Sequence, residues 1–139
     1  MEKPSTTGKL LLVGWDGADW EVINPLLDAG LLPNLERLVE TGVMGDLIAP
    51  TRRLCSLLWT TLLTGKRPEL HGILTAEERD PFTGCRSPIK SSRREVESIW
   101  GILSRAGLHG HALNWPASHP AEPIQGVSVS EEFARVVGT

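Results

Sequence analysis

The run Lys9 to Gly14, KLLLVG, followed at once by Trp15-Asp16-Gly17, constrains this chain more than any other stretch. Apolar residues at consecutive rather than alternating positions describe a strand buried on both faces, the kind found in parallel sheets, and Asp-Gly supplies a tight turn after it. Asp19 to Ala29 then places Trp20, Ile23, Leu26 and Leu27 at helical spacing, and Gly30 stands at the C-terminal cap position. Pro33 opens a second helical pattern with Leu35, Leu38 and Val39 on one face, Gly42 ends it, and Val43 to Ile48 returns as a second strand. A β-α-α-β order predicts an α/β fold, a mostly parallel sheet with flanking helices.

Beyond the second strand, Pro50 to Leu54 reads as a loop and Cys55 to Leu63 (CSLLWTTLL) as a short buried helix stopped at Thr64-Gly65. Thr75 to Ser92, rich in charge, Pro, Gly and Ser, is expected to be an exposed excursion that carries Cys85. The helical period resumes at Arg93 through Val96, Ile99, Trp100 and Leu103 and ends at Gly107. Leu108 to Trp115 follows as a third strand, Ala117 to Gln125 as a Pro-rich loop, and Val127 to Val129 as the start of a fourth strand before Glu131 to Val137. There are no internal repeats. Three or four strands leave sheet edges and faces uncovered, so residues 1–139 are expected to be the N-terminal portion of a single larger domain, completed by further chain or by self-association.

The 139 residues are 40% hydrophobic and 22% charged, the balance of a globular rather than a disordered chain. The longest apolar run, Leu10 to Trp15, is cut off by Asp16, far short of a membrane span. It is also too short for a secretory leader and has no small-residue cleavage site after it, so a cytoplasmic location is expected. With 14 basic against 17 acidic residues, a net charge of −3 and no basic stripe, there is no electrostatic footprint for nucleic acid. Cys55 and Cys85 stand thirty apart without a CxxC pair, which points to neither a disulfide framework nor a structural zinc site. All five tryptophans lie in or beside apolar segments, where core packing is their expected role.

Several residues are placed for chemistry. Asp16 follows a buried strand at the carboxyl end, where open α/β sheets bind ligands; it suits a metal-ligand carboxylate, or equally the N-cap of the next helix. Cys55 and Ser56 begin a helix after a loop, where free amides and the positive helix end favour an anion. A thiolate at Cys55 can attack phosphorus or bind zinc, while simple burial of Cys and capping by Ser explain the same residues. His109 and His111 would share one face of a strand, a weak chelating pattern, and His71 and His119 suit turn or capping roles. Asn114, at the end of the third strand, can donate to a phosphate or form a turn before Trp-Pro. No GxGxxG, Walker loop or HExxH is present.

Taken in order, LLVGWDGADW (11–20), LPNLERL (32–38), WTTLLTGKRPELHGI (59–73), IWGILSRAG (99–107) and NWPASHPAEPI (114–124) resemble the N-terminal part of the type I phosphodiesterase/nucleotide pyrophosphatase family, within the alkaline phosphatase superfamily. The resemblance covers nearly the whole chain. It implies an alkaline phosphatase-like fold and hydrolysis of phosphodiester or pyrophosphate bonds in a small-molecule phosphoester. Two divalent metal ions, zinc, are implied for the complete domain, though not for this stretch by itself. Carried over by position, the metal ligand falls on Asp16 and the nucleophile, nine residues before Thr64, on Cys55. Cys55 departs from the Thr or Ser of the family, which leaves Cys55, Ser56 or neither as nucleophile. Related sulfatases convert a Cys there to formylglycine, but need Pro and Arg where this chain has Leu57 and Trp59. The remaining ligands come from Asp and His residues downstream in the family; here the last Asp is Asp80, so this stretch is expected to be inactive alone. A degenerate member that binds phosphoesters without turnover is the alternative, and a sulfatase-like enzyme a third reading.

Overall fold

A computed structural model of the chain describes residues 8–49 and 55–133. They fall into two compact units, Met1–Leu47 and Ile48–Thr139. The loop expected at Pro50 to Leu54 and most of the segment Glu131 to Val137 lie outside the described residues.

In the first unit, α1 (Trp20–Asp28) begins where Asp19 accepts the Glu21 amide at 2.9 Å, satisfying one of the unpaired donors of a helix start. It closes at Gly30, whose φ of 66° is a left-handed value that glycine adopts without strain. α2 (Pro33–Thr41) starts on Pro33, whose missing N–H has no partner to lose in a first turn, and ends at Gly42. The two expected strands at 9–14 and 43–48 do not form. Neither segment takes up regular secondary structure, and Leu10 is 90%, Val43 102% and Ile48 91% exposed. An all-apolar strand gains its stability from ladder partners and covered faces, and among the described residues neither segment has a ladder partner.

The second unit holds α3 (Cys55–Thr64), α4 (Pro68–His71), an antiparallel hairpin of β1 (Glu77–Arg79) and β2 (Arg86–Pro88), a 3-10 turn at Ser91–Arg93, α5 (Ile99–Arg105), β3 (Ala112–Trp115) and β4 (Ser128–Ser130). The expected excursion at 75–92 is therefore a hairpin with a base tied in by Ile89, whose amide donates to the Ala76 carbonyl at 3.0 Å. The helix expected from Arg93 begins only at Ile99. Ser98 caps it by accepting the Gly101 amide at 3.1 Å, and the apolar spacing of Val96 belongs to the strap before it.

β3 and β4 pair in parallel, with a register irregularity between Leu113 and Trp115. Gly126 lets the second of them approach: a Cβ there would collide with the Gly110 carbonyl oxygen. The mostly parallel sheet expected from the sequence is thus replaced, among the described residues, by two sheets of two strands each, one of them parallel. Mixed helices and small sheets remain consistent with an α/β class.

Two small cores hold this unit. Leu63, Trp100 and Ala112 are buried together with Trp115 and Ile124 against them, and Ile73, Ile89 and Ala117 form the other. Trp115 meets Trp59 and Trp100 edge-on at 4.9 and 5.7 Å between ring centroids, and its indole N–H donates to the Trp59 carbonyl. Trp15, by contrast, is exposed, so the core role expected of every tryptophan fails there. No helix among the described residues is long and apolar enough to cross a membrane.

Candidate active site

Cys55 and Ser56 open α3, and the helix under them is pinned. Leu57, Thr60 and Leu63 are its buried residues. The hydroxyls of Thr60, Thr61 and Thr64 each donate to the carbonyl four residues back, at 2.7, 2.9 and 2.7 Å, so buried hydroxyls are satisfied within the helix itself. Cys55 is exposed and Ser56 half-buried.

Ser56 lines a cleft of about 290 Å³ with Ala76, Glu77, Pro88, Ile89, Glu131 and Glu132. Three of these are carboxylates. Glu131 accepts the Ala117 amide at 2.7 Å, Glu77 lies 3.7 Å from Arg86, and Glu132 lies 4.0 Å from the His119 ring. A phosphate approaching Ser56 through this cleft meets like charge, whereas Cys55 is exposed at the helix end. The positions that a sulfatase needs as Pro and Arg are committed to packing: Leu57 is buried and Trp59 meets Trp115 edge-on.

Asp16 lies in the first unit, exposed, in the turn Trp15–Ala18 with Gly17 at φ 71°. The capping role open to it in the sequence belongs instead to Asp19. Asn114 is exposed in the second unit at the irregularity of β3, with φ 53°. Asn tolerates left-handed backbone better than most residues, which accounts for its presence there. His109 and His111 precede β3 and share no strand face; His111 Nδ1 instead accepts the Val127 amide at 3.1 Å.

Among the described residues, no group of three or more His, Cys, Asp or Glu side chains is placed to hold a metal ion. Asp16 belongs to the first unit and Cys55 to the second.

Two arrangements escaped the sequence reading. His71 is wholly buried between Thr61 and Ile73. Glu122 gathers Arg94, Ser98 and Trp100. A charged residue inside the otherwise apolar and Pro-rich PAEPI was the available signal for the second.

A family model described as type I phosphodiesterase / nucleotide pyrophosphatase matches residues 10–136. The match places the chain among hydrolases of phosphodiester and pyrophosphate bonds. The chain belongs to the type I phosphodiesterase / nucleotide pyrophosphatase family. No curated protein and no solved structure matches it.

Proposed function

We propose that residues 1–139 are the N-terminal portion of one alkaline phosphatase-like catalytic domain, and that α3 carries the nucleophile for hydrolysis of a small-molecule phosphodiester or pyrophosphate. The family match over residues 10–136 carries this reading. The Cys55 sulfur attacks phosphorus, the bond from phosphorus to the leaving alcohol or phosphate oxygen breaks, and water then hydrolyses the enzyme-bound phosphoryl group, returning the thiolate. The acidic cleft favours Cys55 over Ser56, because Ser56 opens towards Glu77, Glu131 and Glu132. Asn114 is proposed as a donor to the phosphate, and Asp16 as the carboxylate this stretch would contribute to a zinc site with other ligands.

Turnover of bis-p-nitrophenyl phosphate by the complete catalytic domain of which these residues are proposed to be the N-terminal portion, supplied with zinc and active as wild type, tests the reading. Cys55→Ala is expected to lower kcat by about a thousandfold or more, and Ser56→Ala to change it only a few-fold. Equal activity in wild type and Cys55→Ala would sink the nucleophile assignment. A second reading, a family member that binds phosphoesters without turnover, is favoured by the Cys at the nucleophile position and by the incomplete ligand set. It requires saturable binding of a phosphodiester by a metal-free, inactive chain. Formylglycine at Cys55 in an intact-mass spectrum would instead mark a sulfatase-like enzyme.

A further inference from the structure

His71 ends α4 at 0% exposure, and its ring is engaged at both nitrogens. Nδ1 accepts the Ile73 amide at 3.1 Å, and Nε2 stands 3.1 Å from Thr61 Oγ1. The Thr61 hydroxyl has a single proton and donates it to the Leu57 carbonyl at 2.9 Å, so the hydrogen between Thr61 and the ring belongs to Nε2. The neighbours therefore select one neutral tautomer. The series of bonds runs from Ile73 N–H through the ring and the Thr61 hydroxyl to Leu57, in the first turn of α3 and two residues after Cys55.

A second proton has no place in this arrangement. On Nδ1 it would confront the Ile73 N–H, donor against donor, where the ring is shut off from water. Burial above all holds His71 below the usual imidazole range; its backbone hydrogen bond opposes this, Arg94 adds to it, and Glu69 opposes it. α3 has no Asp, Glu, Lys or Arg to offset a charge, and from the strap Glu95 donates its amide to the His71 carbonyl at 3.1 Å while its side chain packs over Gly72.

We propose that His71 is a positioning residue for α3 that works as an acid-released latch: as a neutral imidazole it ties the first turn of α3 to α4, and as an imidazolium it lets go. The functional meaning rests on the reading of α3 as the nucleophile helix; the latch itself does not. The direction follows from proton linkage. The released state binds the proton more readily than the latched one, so latching is complete above the ordinary imidazole range and is lost as pH falls below it.

Amide hydrogen exchange of the whole chain, with rates divided by their intrinsic values, reads the latch without turnover. Between about pH 7.5 and pH 5, protection of the Trp59 to Thr64 amides is expected to fall about tenfold, while that of Ile102 to Ala106 in α5 holds. His71→Asn is expected to abolish the pH dependence. Thr61→Val is expected to lower α3 protection already at neutral pH, and Thr61→Ser to restore the wild-type profile. A flat wild-type profile, a wild-type slope in His71→Asn, or full neutral-pH protection in Thr61→Val would each overturn the latch. If His71→Asn does not fold, the wild-type profile and the Thr61 pair decide. Full activity in Cys55→Ala would remove the nucleophile reading while leaving these exchange profiles as they are, so the two failures are distinguishable.

Discussion

At the residue scale, the largest single stake lies at Glu122. Its Oε2 accepts the Ser98 hydroxyl at 2.9 Å, its Oε1 accepts the Trp100 indole N–H at 3.2 Å, and it pairs with Arg94, whose side chain is only 6% exposed. A guanidinium so buried is tolerable only with its anion, so Glu122→Ala is expected to cost about 3 to 5 kcal/mol, and Glu122→Gln, which keeps the shape and acceptor, distinctly less. Urea denaturation measures this as a lowered midpoint; a loss under about 1 kcal/mol would show that the pair is solvated in practice. None of the partners was legible in the sequence, because they lie 22 to 28 residues away and no local period links a Pro-rich loop to a helix start. His71 and Thr61, ten apart, were hidden for the same reason. What could be read was residue type matched to backbone: Gly30 as a helix stop follows from the left-handed conformation it adopts.

Elements divide by whether their cause is local. α1, α2 and α3 were legible because Asp19, Pro33 and the spacing of apolar residues act within one or two turns. Strands depend on a neighbour: those expected at 108–115 and from 127–129 form, shortened, as β3 and β4 because each pairs with the other, whereas 9–14 and 43–48 carry the strongest strand pattern and have no ladder partner among the described residues. The hairpin β1–β2 escaped because three-residue strands show no period. Its turn is set by Asp80, whose Oδ1 accepts the Phe82 and Thr83 amides at 2.8 and 2.9 Å, and Phe82 at the tip is 96% exposed. Chymotrypsin is therefore expected to nick Asp80→Ala after Phe82 several-fold faster than wild type, with Asp80→Asn close to wild type because it keeps the acceptor. Equal cleavage of all three would show that the strand pairing alone holds the turn. The Thr83 and Phe82 amides also hold the Asp80 carboxyl below the usual carboxylate range. The turn is fully supported above that range and weakens as pH falls through the lowered value, which the Phe82 and Thr83 amide shifts report.

For the whole molecule, the segments around Leu10 and Val43 matter most. Leu10, Leu11, Leu12 and Val13 are 66% to 90% exposed, and Leu47 and Ile48 are 77% and 91% exposed. Burying each such side chain gains about 1.5 to 3 kcal/mol, and an extended apolar segment with unpaired backbone groups is a template for another chain. A net charge of −3 offers little repulsion to oppose such contacts. The chain is therefore expected to associate: sedimentation velocity should show an average mass that rises with concentration in the micromolar range. Placing a charge in both segments, as in Leu11→Glu with Leu47→Glu, should return the chain to monomer, because a buried carboxylate costs more than the lost leucine contact. The same pair on the hairpin, Thr83→Glu with Ser87→Glu, should leave association unchanged, which separates strand-driven contact from general charge repulsion. A wild-type chain that stays monomeric at every concentration would mean that these apolar runs are covered in solution, and the search for what covers them would then begin within the chain itself.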